Sequence, residues 1–562
     1  MKKCMSFILI VIFMITAQNT VLGSDADRKL WLPSIFGDHM VLQQGKDLPV
    51  WGKAKPSETV VVTVGDQTAE TKANTDGKWM IGLKPMAVSH DPVEVKVASG
   101  SQTKTFKNVL VGDVWLASGQ SNMGMGIGKM KNGKQVVAKA DHPKLRLFYV
   151  ERQVSFEKSE EVQGKWIVCS PETLAPKGHG GFSAIGYYFG AALQQNKNIP
   201  IGMIGSYVGG TLIQSWSSLE CLEQFNGTDN TKQVRNFKRK KATLDERKKE
   251  YDEIIFPKYD KVFQAWKASE TKKREEWQAA LEIAREKGEA HPKRPKRTKP
   301  AFERPIDPVQ EFRLATVLYN GMINPLIPYA IKGALWYQGE ANCYPNRNTE
   351  YATVLPNMIK DWRNKWGQGD FPFLVVQLPN MNTSDPKKKV GWWSTLRESQ
   401  RLALRTPNTF MAVSIDVGDP NDLHPTVKKP IADRLVLAAK EHVYGEDVVG
   451  TSPMIKEAQL VDGKVSLSFT DIGSGLTIGK MDKDFNFSVA EGNPLHFELA
   501  GKDGKFIPAQ AKIEGDTVIV WSDDLKDPTA IRYAWRNNPE PPVNLYSKEG
   551  LPASPFEMQI QK

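Results

Sequence analysis

The sequence predicts an α/β fold: a parallel sheet with helices on both faces, carrying a helical insertion and flanked at each end by a β domain. Three observations predict it. Between about residues 110 and 445, short apolar runs alternate with amphipathic segments, the strand–helix rhythm that gives a parallel sheet covered on both sides. Before and after that region, apolar and polar residues alternate with period two between Gly, Pro and Asp turns, as antiparallel strands do. From about 222 to 317 the chain turns to Lys, Glu, Arg and Gln at helical spacing.

The first 23 residues, "MKKCMSFILIVIFMITAQNTVLG", place Lys2 and Lys3 before an apolar run from Ser6 to Ala17, with Val21 and Gly23 at the end. This is the pattern of a secretory signal peptide cut near Gly23–Ser24, and it predicts export to a periplasmic or extracellular space. No other stretch approaches the roughly 18 apolar residues that span a bilayer, so no integral membrane segment is expected. Residues 24–109 follow with "ETVVVTVGD", "KWMIGLKPM" and "DPVEVKVASG", read as an N-terminal β-sandwich.

Residues 110–445 form the α/β domain. Its predicted strands are "VLVGDVWLAS", "IPIGMIGSYVGG", "IKGALWYQGE", "FPFLVVQLP" and "TFMAVSIDVGD", with helices in "FSAIGYYFGAALQQN", "EYATVLPNMIKDWRNKW", "WWSTLRESQRLAL" and "VKKPIADRLVLAAKEHVYG". The insertion contains "YDKVFQAWKASETKKREEWQAALEIAREKG", a long amphipathic helix, and closes on the proline-rich "HPKRPKRTKPAFERPIDP", which must be loop. Residues 446–562 return to strands such as "KVSLSFTD" and "DTVIVWSDD", a C-terminal β domain.

Composition narrows the function classes. The 562 residues are 40% hydrophobic and 25% charged, which is globular and unlike a disordered chain. Net charge +11 raises the possibility of nucleic acid, but much of the excess lies in "KQVRNFKRKKATLDERKKEYDE" and "HPKRPKRTKP". In the first of these, acids and bases alternate as on a solvated helix face, and a secreted chain does not meet nucleic acid, so none is expected as a partner. Once Cys4 leaves with the signal, Cys169, Cys221 and Cys343 allow one disulfide and require none.

In an open parallel sheet, ligands bind beyond the carboxyl ends of the strands. Four of the five predicted strands end in residues with chemistry: Ser121 in "ASGQSNMGMG", the pair Gly209–Gly210, Gln338 and Glu340 in "QGE", and Asp422 and His424 in "DPNDLHP". A serine hydroxyl becomes nucleophilic when a base takes its proton, and histidine has the pKa for that task. A carboxylate can then hold the imidazole tautomer, with Asp422 or Asp419 available and a Ser/His dyad the alternative. Backbone N–H groups at a glycine pair and at a helix start, with the Gln338 amide, can bind an oxyanion. Trp115, Trp336, Trp392 and Trp393 are candidates for stacking on a sugar.

These same stretches carry a resemblance. "VGDVWLASGQSNM", "WYQGEANC", "VQLP", "LRESQ", "DLHPTVKKPIADRLVLAA", "AIRYAWRNNPEPPVNLYSKEGLPASPF" and the early "LPSIFGDHMVLQQ" resemble the sialate O-acetylesterase family of the SGNH hydrolase superfamily, across nearly all of the mature chain except the insertion. The resemblance implies a flavodoxin-like sheet and a metal-free, cofactor-free serine esterase that removes acetyl groups from carbohydrate. It places Ser121 as nucleophile, His424 as base, and Gly209, Gly210 and Gln338 at the oxyanion hole. Two departures from the superfamily stand out. Asn421 occupies the position three before the histidine where Asp is usual, which makes Asp422 the chosen acid, and Gln338 stands where Asn is usual. Gln120, Asn122, Glu340 and Arg397 are expected to line the substrate pocket, Arg397 as a partner for a sialate carboxylate. An acetylated plant polysaccharide, xylan or xyloglucan, is the alternative substrate, and a non-catalytic carbohydrate-binding protein is the alternative of another class.

Overall fold

The computed structural model describes residues 29–174, 180–300, 302–382 and 391–561. The predicted signal peptide lies outside them. Among the described residues, thirteen strands precede the C-terminal domain. β1 (Val41–Gln43), β3 (Thr59–Val64), β4 (Gln67–Lys72) and β6 (Ser89–Ser99) pair around the first half of β7 (Gln102–Gly119), while β2 (Leu48–Lys53) and β5 (Lys78–Leu83) form a separate two-stranded antiparallel sheet. Alternation sets the inner face: Val60, Val62 and Val64 are buried, and the residues between them are not.

The expected boundary at 109/110 falls inside β7, which is a correction to the domain reading. Residues Gln102 to Val111 of this strand pair with β6, and Asp113 to Gly119 pair in parallel with β10 (Ile201–Tyr207). One 18-residue strand therefore serves both domains, with no linker between them. Its period-two half, with one face solvated, becomes a wholly buried run as it enters the central sheet.

That sheet runs in the order β13 (Thr409–Ala412), β12 (Phe373–Val376), β11 (Gly333–Tyr337), β7, β10, β8 (His142–Tyr149), β9 (Trp166–Cys169). All neighbours are parallel except β8 and β9. Every residue of β10, β11 and β12 is buried, so both faces are covered. Two helix pairs pack closely, Ala184–Lys197 with Lys429–His442 and Arg347–Trp366 with Trp392–Leu402. β8 and β9 were not predicted, although "KLRLFY" does carry an apolar core. Counting only the five predicted strands, the order across the sheet is 2-1-3-4-5, which reverses between β7 and β11. Ser121 and Gln338 lie just beyond those two strands.

The insertion is helical as expected, with helices Thr228–Ala242 and Phe256–Lys287 as its longest. Its charges meet partners: Lys240 and Arg247 on Glu311, Lys248 on Asp252 and Asp307, Lys238 on Glu223. The proline-rich segment after it lays Arg304, Arg297 and Arg294 against the rings of Phe256, Trp266 and Trp277. The C-terminal strands form sheets such as Met454–Val461 with Lys464–Thr470, Thr517–Trp521 and Gln510–Glu514. Cys169, Cys221 and Cys343 are buried and form no disulfide among the described residues.

Candidate active site

Ser121 begins a short helix, Ser121–Gly124, directly after β7. The turn into it needs glycine at 119. Gly119 has φ +139°, and a Cβ there would stand 2.2 Å from the Tyr337 carbonyl oxygen of the neighbouring strand. Gln120 is then extended and donates its N–H to that same carbonyl at 3.0 Å. The serine is thus presented at the sheet edge where the strand order reverses.

His424 arrives from the loop after β13, 303 residues away in sequence, with Nε2 at 2.8 Å from Ser121 Oγ. Its pKa is lowered, first by burial and then by Lys428 and Lys129, while Asp422 pulls the other way. A neutral imidazole is therefore favoured near neutrality, which is the form that accepts a proton. Gly209 completes the corner: its missing Cβ would lie 3.2 Å from Ser121 Cβ. The N–H groups of Ser121, Gly209 and Gly210 meet no protein acceptor among the described residues.

Residues 111–249 and 307–434 match the family described as carbohydrate esterase, sialic acid-specific acetylesterase. A solved carbohydrate acetylesterase from Xanthomonas citri is similar at 31% identity and a TM-score of 0.73, over 94% of this chain and 99% of that one. The chain belongs to the sialate O-acetylesterase family. Sialate O-acetylesterases of rat and human are 29% and 27% identical to it, over 94% and 93% of this chain and 94% and 91% of theirs. As a member of this esterase family the protein is a carboxylic ester hydrolase.

Against that family frame, several expected pocket residues stand elsewhere. Gln338 is fully buried, and its amide donates to Thr211 O at 3.0 Å, Asn342 Oδ1 at 2.8 Å and Gln120 Oε1 at 3.2 Å. With two protons and three acceptors already present, it braces the wall behind the serine and has none left for an oxyanion. Gln120 is also buried and ties the serine turn to the end of β11 through Gln338 and Ala341 N. Asn122 and Glu340 are buried and bonded to each other at 2.5 Å. Arg397 is wholly buried in the helix Trp392–Leu402, where it donates to the carbonyls of Leu378, Pro379, Arg536 and Asn537. Burial draws its pKa down to about 9. It joins the C-terminal domain to the sheet and faces no pocket. Polar residues at strand ends look alike in sequence whether they face substrate or brace the turn behind it, which is why these expectations needed correction.

The acid is likewise placed differently from a standard triad. Asp422 Oδ1 accepts the main-chain N–H of His424 at 2.8 Å, and Asp419 Oδ1 accepts that of Asn421 at 2.9 Å. Both carboxylates close local turns. Among the described residues neither is hydrogen-bonded to the imidazole, although the charge of Asp422 acts on it. Trp115, Trp336 and Trp393 are core residues, whereas Trp392 is half-buried and packs its ring 5.9 Å from that of the exposed Tyr344.

Two residues that sequence reading passed over matter here. Lys428 is buried with its ammonium on Asn122. Arg313 is exposed, its guanidinium 3.0 Å from where a Gly210 Cβ would stand, with no acidic partner among the described residues. "DLHPTVKK" offered four titratable residues, Asp422, His424, Lys428 and Lys429, within eight positions as a signal for the first; nothing in the sequence pointed to the second. No group of three His, Cys, Asp or Glu side chains suited to a metal occurs among the described residues, and no helix there is long and apolar enough to cross a membrane.

Proposed function

We propose that the protein is an exported serine esterase that hydrolyses O-acetyl esters of carbohydrate on an SGNH-type, flavodoxin-like sheet. The observation that carries the reading is the 2.8 Å contact between Ser121 Oγ and His424 Nε2 at the point where the strand order reverses. His424 takes the Ser121 proton as Oγ attacks the acetyl carbonyl. The oxyanion accepts from the N–H groups of Ser121 and of Gly209 or Gly210, and each such donor lowers the barrier by about 2.7–4 kcal/mol. The sugar hydroxyl departs with the proton from His424, and water repeats the cycle on the acetyl-serine. Asp422 supports the imidazolium by its nearby charge, so the machinery is a Ser/His pair with a carboxylate in reserve.

An O-acetylated sialic acid fits the site best. Arg313, beside Gly210, and Arg152 are both exposed and stand on the Phe312 ring at 5.4 and 5.2 Å, where a sugar carboxylate would neutralise them. This rim takes the role first assigned to Arg397. Acetate release from O-acetyl sialic acid, acetylated xylan and acetylated xyloglucan tests the reading. The sialate should be preferred, and Arg313→Ala should remove the preference while sparing p-nitrophenyl acetate. Ser121→Ala should lower every activity by about 10⁴-fold or more with the fold retained; near-native activity in that variant would end the nucleophile assignment.

A further inference from the structure

Three polar side chains are buried directly behind the serine and histidine. Lys428 Nζ donates to Asn122 Oδ1 at 2.5 Å, and Asn122 Nδ2 donates to Glu340 Oε1 at 2.5 Å and to the Leu423 carbonyl at 3.0 Å. Asn122 and Lys428 are each 1% exposed and Glu340 8%. The Lys428 ammonium also lies 5.3 Å from the centre of the Tyr337 ring. Such burial is costly to both charges. It draws Lys428 down to about 7 and raises the Glu340 carboxyl, whose Oε2 has no partner among the described residues.

The arrangement has a directional logic. An ammonium only donates and a carboxylate only accepts, so Lys428 holds the oxygen of the Asn122 amide and Glu340 holds its nitrogen. The amide therefore has one orientation. In that orientation its second N–H is aimed at the carbonyl of Leu423, the residue before His424, while Asn122 itself follows Ser121. The nucleophile and the base, 303 residues apart, are joined through their immediate neighbours by this one amide.

We propose that Lys428, acting with Glu340 through Asn122, is a positioning residue that sets His424 against Ser121. The inference rests on the reading of those two residues as base and nucleophile. Lys428 acts on the histidine in a second way, by charge. The groups facing His424 are Ser121, Asp422, Lys129 and Lys428, and those facing Lys428 are Asn122, Glu340, Asp422 and the Tyr337 ring. Loss of the Lys428 cation removes one of the two positive charges that hold the histidine pKa down.

The test is hydrolysis of p-nitrophenyl acetate by Lys428→Met, Glu340→Gln and the double variant across pH. A base displaced by a fraction of an ångström to an ångström costs up to about 10²-fold. Lys428→Met should therefore lower kcat roughly 10- to 100-fold with KM within about threefold, and move the acid limb of kcat/KM to higher pH. Glu340→Gln should lower kcat in the same sense, because a glutamine can face the Asn122 amide either way round. The double variant should be no worse than Lys428→Met, since the uncompensated buried carboxylate is gone. A purely structural lysine would lower Tm and total activity together, without moving the limb. An unmoved limb with kcat within threefold, or losses in the two single variants that multiply in the double, overturns the proposal. If Lys428→Met does not fold, Glu340→Gln decides by its kcat and KM. Ser121→Ala and His424→Ala on the same substrate separate the two layers. Should they retain activity, the base and nucleophile assignments fail; should they abolish it while the Lys428 and Glu340 variants stay near native, only the positioning role fails.

Discussion

Replacing Gly209 by alanine isolates the oxyanion corner from the stability of the fold. The new methyl would stand 3.2 Å from Ser121 Cβ, 3.7 Å from its Cα and 3.9 Å from its N, against the proposed nucleophile. The first of these contacts is short by a few tenths of an ångström, so the serine must shift or the carbonyl must be excluded. In either case the oxyanion loses its fit to the donors, and the expected fall in kcat/KM is that of one lost donor, about 10²–10³-fold or 2.7–4 kcal/mol. Gly209 is not among the glycines with positive φ, so alanine meets no strain of that kind in its backbone, and any change in Tm reports the contact with Ser121. The assay pairs p-nitrophenyl acetate kinetics with a thermal melt. Activity within threefold of the native enzyme, at an unchanged Tm, would refute the placement of the oxyanion beside Gly209.

Three further outcomes follow from the same geometry. Because burial and two lysines lower the His424 pKa, the base form persists below the ordinary imidazole value, and the acid limb of kcat/KM should fall below about 6.5; a pH profile with the limb at or above that value contradicts it. Asp422→Asn keeps the turn at the His424 amide and removes only charge, so activity should drop roughly tenfold, the equivalent of one pKa unit, with the acid limb moving lower. Asp419→Asn should have little effect, and a loss near 10⁴-fold at Asp422 would mean that its carboxylate reaches the imidazole during turnover. Arg397→Met strips four carbonyls of a charged donor and should cost about 3 kcal/mol or more of stability, read as a lower Tm with KM unchanged; a raised KM at constant Tm would restore it to the pocket.

By itself, the sequence determined the kinds of element and five strands of the central sheet, and it marked Ser121 and His424 as candidates. Each of these is local in origin. Buried parallel strands must be apolar throughout, and a serine turn pressed against Tyr337 must have glycine at 119. Family motifs around the two catalytic candidates marked them further. Tertiary structure decided which of the neighbouring polar residues face outward. Gln120, Asn122, Gln338, Glu340 and Arg397 are polar for the same reason whether they bind a sugar or satisfy a buried carbonyl, and only packing distinguishes the two. It also decided that β7 serves two domains, that the Asp422 carboxylate turns back to its own loop, and that Lys428 reaches Asn122. These relations join positions up to 306 residues apart, beyond the reach of any local pattern.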